Sequence, residues 1–283
     1  MRLFGVPRPP LVPFKASDLP AMISKDKNRM SISGVQPKAS VRFNQATWTL
    51  EVVAAGGTHI LKPESERFPQ IPQNENLCMN MAEELGLPTP PHGLFEMSDG
   101  KLCYVIKRFD RAGDGRRIAK ETMFQILGST DKYSGSLERI GKAIRAHAAN
   151  VGLDTVDFFE RVLFCFLTGN GDMHQKNWAL LGAAPEATLA PCYDLVCSRL
   201  YIKNEDDTAL TLNAKRKDIN RRDFEAFAAR LEIAPKAVAG ILDKSRNAKE
   251  TLREMIKNSE LNSDPRQELL DIFFSRYGRL YDE

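Results

Sequence analysis

The chain has 283 residues, enough for one two-lobed unit or for two small domains that each bury a core. With 42% hydrophobic and 27% charged residues it is neither disordered nor in need of a disulfide or metal staple. Forty Lys and Arg against 37 Asp and Glu leave a net charge near +3, too even for a chain whose main partner is a nucleic-acid backbone.

Residues 1 to about 30 carry four prolines before position 14 and no sustained apolar period. They are expected to form an extended arm, with the ordered part beginning after it. Three short runs follow, 39–43, 47–53 and 58–61, rich in β-branched and aromatic residues and separated by polar or Gly-Gly turns. They predict three antiparallel strands. Between Pro72 and Gly86 the period changes: Leu77, Cys78, Met81, Ala82 and Leu85 form one stripe of a helix that Gly86 and Pro88 end. Two more strands, 93–97 and 102–109, flank the turn Ser98-Asp99-Gly100.

Beyond Asp110 the texture becomes helical. Helices are predicted over 120–127, 136–150 and, capped by Asp154, 155–167, the last ended by Gly169. From about Arg221 to Tyr281 the chain reads as amphipathic helix broken at Ala234-Pro235 and near 262–265. Five cysteines, odd in number and never spaced C-x-x-C, read as buried thiols, and the proline-rich start argues against a signal peptide. The longest strongly apolar run, Val162 to Leu167, is far short of the about 18 residues of a membrane span, so no membrane role is expected. The expected compartment is the cytoplasm.

The densest polar constellation is Gly169-Asn-Gly-Asp-Met-His-Gln-Lys-Asn177, a glycine-broken loop directly after the apolar helix. Asp172 and Asn177 stand five apart, the interval at which phosphotransferases place a base for the acceptor hydroxyl and a magnesium ligand. Asp194, in Pro191-Cys-Tyr-Asp-Leu195, offers a second hard oxygen ligand. The bland alternative is that all three cap or close turns. Lys62 ends an apolar strand, where an ammonium can meet nucleotide phosphates, and Glu75 on the next helix is placed to pair with it. Upstream, Met30-Ser-Ile-Ser-Gly-Val-Gln-Pro-Lys38 could fold backbone N–H groups over phosphates. Phe109, in Ile106-Lys-Arg-Phe-Asp-Arg111, stands where strands give way to helices and an apolar plate would meet an adenine ring. His174 has no second His or Cys at metal spacing, so a zinc site is not expected. The basic run Lys215 to Arg222 reads first as a solvated loop and second as a contact surface.

Taken in order, Ser31 to Lys38, His59 to Pro63, Asn74-Glu75, Arg108 to Arg111, Gly169 to Asn177 and Pro191 to Leu195 resemble the motifs of the HipA-like serine/threonine kinases over about residues 30 to 200. The length resembles that of the compact HipT type, without the small domain that precedes the core in longer HipA proteins. The resemblance implies an α+β, bilobal protein-kinase-like fold: an antiparallel-sheet lobe over residues 1–110 and a helical lobe over 111–283 carrying the catalytic and metal-binding loops. It further implies an ATP- and Mg²⁺-dependent toxin of a type II toxin–antitoxin system that phosphorylates an aminoacyl-tRNA synthetase and so inhibits translation. Implied partners are a DNA-binding antitoxin, through which alone DNA is met, and a small separate protein in place of the missing domain.

By motif position, Asp172 is the implied catalytic base, Asn177 and Asp194 the metal ligands, and Lys62 the phosphate lysine. Ser33, Gly34, Val35, Gln36 and Lys38 belong to the ATP-covering loop; Lys107 and Phe109 lie at the adenine hinge; Gln125, His174 and Tyr193 line the nucleotide pocket. Position 107 is often Glu in longer HipA proteins, so only its backbone contact carries over. Ser31 and Ser33 are the implied autophosphorylation sites, where added negative charge would weaken ATP binding. Two other classes fit the same residues: a kinase-shaped binding subunit of an antitoxin–DNA repressor complex, and a small-molecule kinase.

Overall fold

The computed structural model describes residues 3–24 and 37–281. Two compact units divide them: one holds the residues up to Asn76 together with Pro90–Arg117, the other Leu77–Thr89 and the chain from Ile118 onward. The expected Ser31, Ser33, Gly34, Val35 and Gln36 lie outside the described residues.

In the first unit a short helix, α1 (Leu19–Ser24), precedes strands β1 (Ala39–Asn44), β2 (Thr49–Val52) and β3 (His59–Pro63). Helix α2 (Ile71–Glu84) follows, its residues from Leu77 on belonging to the second unit, then β4 (His92–Glu96) and β5 (Leu102–Lys107) in the first. The five strands form one sheet in the order β2-β1-β3-β5-β4, every pair antiparallel. Alternation puts Ala39, Val41, Leu50, Leu61, Phe95, Cys103 and Val105 into one core. Gly100 turns β4 back into β5 with φ +79°, a value that disfavours any residue with a Cβ.

The first residues are not a loose arm. Leu3, Val12, Phe14 and Leu19 are buried in that same core. Leu11 bridges Thr49 on edge strand β2, while its neighbour Val12 bridges Met97, just past edge strand β4. Leu11 N donates to Trp48 O at 3.0 Å, and Leu50 N donates to Leu11 O at 2.8 Å. Two consecutive residues therefore hold both rims of a curled sheet. The expectation failed because an apolar strap without a period of its own is invisible until the sheet it covers exists. His59 is packed into this unit: Nε2 lies 3.1 Å from Leu3 O, and burial drives its pKa down to about 4.

The second unit begins with β6 (Lys120–Thr122) and a single turn, α3 (Met123–Ile126). Helices α4 (Leu137–His147) and α5 (Val151–Leu167) come next, followed by strands β7 (Ala179–Leu181) and β8 (Thr188–Leu189). Helices α6 (Arg221–Arg230), α7 (Pro235–Asn247), α8 (Lys249–Lys257) and α9 (Ser263–Tyr281) complete it. The small antiparallel sheet β6-β7-β8 was not foreseen, and it corrects the expected helix over 120–127: residues 120–122 pair with Leu181 to Ala179. Three-residue strands carry too little alternation to be read alone. Helix α5 starts at Val151, so Asp154 lies one turn inside it rather than at its cap, buried and with its pKa raised by that burial.

Phe158, Phe159 and Phe166 of α5 meet Phe224 and Phe227 of α6, and Phe158 stands edge-on to Trp178. Arg276 of α9 donates to Phe166 O at 3.0 Å near the end of α5 and pairs with Asp207 at 3.2 Å. These contacts anchor the end of α5 from which the polar loop departs. All five cysteines are free and buried, as expected. Among the described residues no helix is long and apolar enough to cross a membrane.

Candidate active site

In the first unit, β3 and α2 place Lys62 and Glu75 thirteen residues apart in sequence and 2.7 Å apart in space, Nζ to Oε1. Lys62 is 7% exposed and Glu75 1%. The predicted pairing is therefore present, and it is a buried charge-assisted bond rather than a solvated strand end. The Lys62 ammonium also lies 5.8 Å from the ring centroid of Tyr104 on β5. Lys38 precedes β1 and is half-buried. Lys107 closes β5 with an exposed side chain, its backbone N–H donating to Pro91 O at 2.8 Å. Half-buried Phe109 follows Arg108, whose guanidinium grips Asp110 through both Nε (2.8 Å) and Nη2 (2.6 Å).

In the second unit the loop after α5 is built by its glycines and amides. Gly169 ends the helix at φ +71°, and a Cβ there would sit 2.8 Å from Ile272 and 3.0 Å from Cys197 Sγ. Asn170 N reaches back to Cys165 O at 2.8 Å, the six-to-one bond of a helix C-terminus. A Cβ on Gly171 would meet Glu205 Cδ at 2.5 Å, so this position needs glycine for close approach. Asn170 Oδ1 then accepts from Asp172 N at 3.2 Å, and Asn177 Nδ2 donates to Asp172 O at 3.1 Å. The two residues singled out by their spacing thus close one turn on each other.

His174 is buried, and Lys132 Nζ lies 2.8 Å from its Nε2. Burial is the main force lowering its pKa, with the Lys132 charge adding; the carboxylates of Asp172 and Asp194 both oppose that shift. A neutral imidazole that accepts at Nε2 carries its proton on Nδ1, which is buried with no hydrogen-bond partner among the described residues. Asp194 holds a left-handed backbone, φ +56°, which is costly for a residue with a side chain. Beside it, Tyr193 donates from its hydroxyl to Lys176 O at 3.0 Å, under the Lys120 ammonium 4.3 Å from its ring centroid. Exposed Gln125 accepts at Oε1 from Thr122 N (3.0 Å) and Thr122 Oγ1 (2.7 Å), capping its own short helix. The basic run is largely paired: Lys215 with Asp223, Lys217 with Asp206 and Arg221 with Glu225.

Three residues of this neighbourhood escaped the sequence reading. Tyr133 donates from its hydroxyl to Asp172 Oδ1 at 2.7 Å across a separation of 39 residues. Ser198 Oγ accepts from Gly171 N (2.8 Å) and donates to Glu205 Oε2 (2.7 Å). Such partners lie in separate loops without periodicity, and no local pattern marks them.

Burial first, and the Asp172 charge after it, raise the Glu205 pKa from 4.5 to about 7. A raised carboxyl pKa means that the folded chain binds the proton more tightly than the unfolded one, so stability falls as pH climbs from 4.5 through about 7. Glu205→Gln, neutral at every pH, is expected to match the wild type near the low end of that window and to exceed it above the high end. The gain should be on the order of 3 kcal/mol at most. Denaturant unfolding across the window measures it, and parallel stability curves would contradict it.

Residues 30–260 match the family described as the HipA-like C-terminal domain. The chain belongs to that family. Among its HipA-like relatives, Y4dM of Sinorhizobium fredii, which carries the provisional name of a kinase, is 30% identical over 83% of this chain. A protein of Haemophilus influenzae with the same provisional name is 30% identical over 72% of it. The serine/threonine-protein kinase toxin HipA of Shewanella oneidensis is 25% identical over 74%. The chain spans 61, 63 and 54% of the length of these three relatives.

Among solved structures, the Shewanella oneidensis HipA–HipB–operator DNA complex superposes with a TM-score of 0.75 at 22% identity, covering 98% of this chain and 73% of its counterpart. The proinflammatory kinase CtkA of Helicobacter pylori gives 0.59 at 16%, covering 90% and 93%. The fold is the α+β, kinase-like fold of these proteins.

Proposed function

We propose that this HipA-like chain is an ATP-dependent protein serine/threonine kinase. The observation that carries the reading is the buried Lys62–Glu75 pair on β3 and α2, the strand-lysine and helix-glutamate couple by which protein kinases fix a phosphate-binding ammonium. In the proposal Lys62 holds nucleotide phosphates and Asp172 takes the acceptor proton. Asp194 and Asn177 hold the metal. Their donor set, one carboxylate and one amide oxygen whose Nδ2 already serves the Asp172 carbonyl, suits a hard cation that takes few protein ligands. Magnesium-bound ATP, when present, supplies the phosphoryl group. Lys38 joins the segment 31–36 in covering it; Lys107 and Phe109 face the adenine, with Gln125, His174 and Tyr193 beside the nucleotide. We assign nucleotide covering to residues 1–110 and catalysis to 111–283.

The finer reading is a HipT-type toxin of the cytoplasm that autophosphorylates at Ser31 and Ser33, inhibits an aminoacyl-tRNA synthetase and is restrained by a DNA-binding antitoxin. It draws support from the toxin named among the relatives and from the neighbour solved with HipB and operator DNA. The test incubates the full chain with γ-³²P-ATP, Mg²⁺ and a cell extract. Label on Ser31 or Ser33 and on one extract protein is expected, and chelation of Mg²⁺ should abolish it. Label on a metabolite alone, or none at all, overturns the reading.

A further inference from the structure

The segment between α3 and α4 is clamped onto the Asp172 loop. Gln175 N donates to Lys132 O at 3.1 Å and Gln175 Nε2 to Ser134 O at 2.6 Å. Lys132 Nζ meets His174 Nε2 at 2.8 Å, and Arg216 Nη2 donates to Tyr133 O at 2.6 Å. With its backbone held on three sides, Tyr133 sets its ring edge-on to the His174 imidazole, centroids 5.2 Å apart, and its hydroxyl on Asp172 Oδ1. Burial, then the bond to Asp172 and the charges of Asp172, Glu205 and Asp131, keep the phenol protonated far beyond its ordinary range. It is a fixed donor and not a competing base.

A carboxylate free to turn about Cβ–Cγ presents either oxygen; one pinned at Oδ1 presents Oδ2. We propose that Tyr133 is a positioning residue for Asp172, holding Oδ1 so that Oδ2 is the atom aimed at the acceptor hydroxyl. The proposal rests on the reading of Asp172 as the base. Correct placement of a reacting group is worth orders of magnitude in rate, because small misalignments are steeply penalised. At 37% exposure Tyr133 also leaves part of its ring beside the base, where an incoming acceptor would pass.

Tyr133→Phe keeps the ring and its contact with His174 and removes only the hydroxyl. In single-turnover self-labelling with γ-³²P-ATP and Mg²⁺, its maximal rate is expected to fall about tenfold or more. The ATP concentration for half-maximal rate should stay within about twofold of wild type, a split that a general loss of structure does not produce. Without nucleotide, the melting shifts of Tyr133→Phe, Asp172→Ala and the double variant should fail to add, as they do for groups in direct contact. An unchanged maximal rate, a change confined to the ATP requirement, or additive shifts overturns the proposal. If Asp172→Asn is inactive while Tyr133→Phe is unimpaired, the positioning role alone falls. If Asp172→Asn labels itself at the wild-type rate, or the wild type takes no label, the base reading falls and this inference with it.

Discussion

Asp172→Asn is expected to slow phosphoryl transfer by roughly a hundred- to ten-thousandfold, the usual worth of a positioned general base, while leaving the fold and nucleotide affinity in place. The loop around position 172 owes its shape to other groups: the left-handed turn at Gly169, the Asn170 and Asn177 side chains on the backbone of residue 172, and Ser198 on Gly171 N. An amide at 172 can still accept from Tyr133 through its oxygen, so the neutral variant tests basicity rather than architecture. Single-turnover label transfer beside a thermal melt separates the two effects. A rate within a few-fold of wild type with an unchanged melt would remove Asp172 from the chemistry. A lowered melt would show instead that its charge supports the loop.

The largest effect on stability is expected at Glu75. Removing one partner of a buried ion pair leaves the other charge in a medium that cannot solvate it, and such truncations cost about 3–5 kcal/mol. Against a total stability of about 5–15 kcal/mol that is a large share, so Glu75→Ala should unfold at markedly lower denaturant concentration. Replacing both partners with apolar residues, Lys62→Met with Glu75→Leu, is expected to recover most of the loss, because a well-packed apolar pair escapes the desolvation that the ions suffer. Both variants should be inactive in label transfer, since each lacks the fixed ammonium. Recovery of stability without recovery of transfer marks the pair as kept for function. If the double variant is as unstable as Glu75→Ala, the pair serves the fold.

The parts that could be read in advance are those whose physics is local. Strands β1, β2 and β3 announce themselves through short β-branched and aromatic runs between turns, α2 through the spacing of Leu77, Met81 and Leu85, and the end of α5 through Gly169. The Lys62–Glu75 pair was legible because a strand, a short loop and a helix confine both groups within thirteen residues. The contact from Tyr133 to Asp172 spans 39 residues and that from Ser198 to Gly171 spans 27, through loops whose course is set only by tertiary packing. Glu205 shows the same limit: burial and the Asp172 charge raise its pKa against the hydrogen bonds from Ser198 and Gly171, and nothing in the letters around position 205 foretells it. The short strand β6 was taken for helix because Lys120 to Thr122 find their partners only at 179–181.

The strap across the first unit has a consequence for how the chain is made. Val12 has its bridge partner at Met97, so the strap cannot seat until both rims of the sheet have been synthesised. Closing so long a loop is entropically slow, and folds dominated by distant pairings assemble late. Leu3, Val12, Phe14 and Leu19, apolar and made before the strands they pack against, must therefore wait in water for a sheet that does not yet exist. The strap is made before the sheet and comes to rest after it.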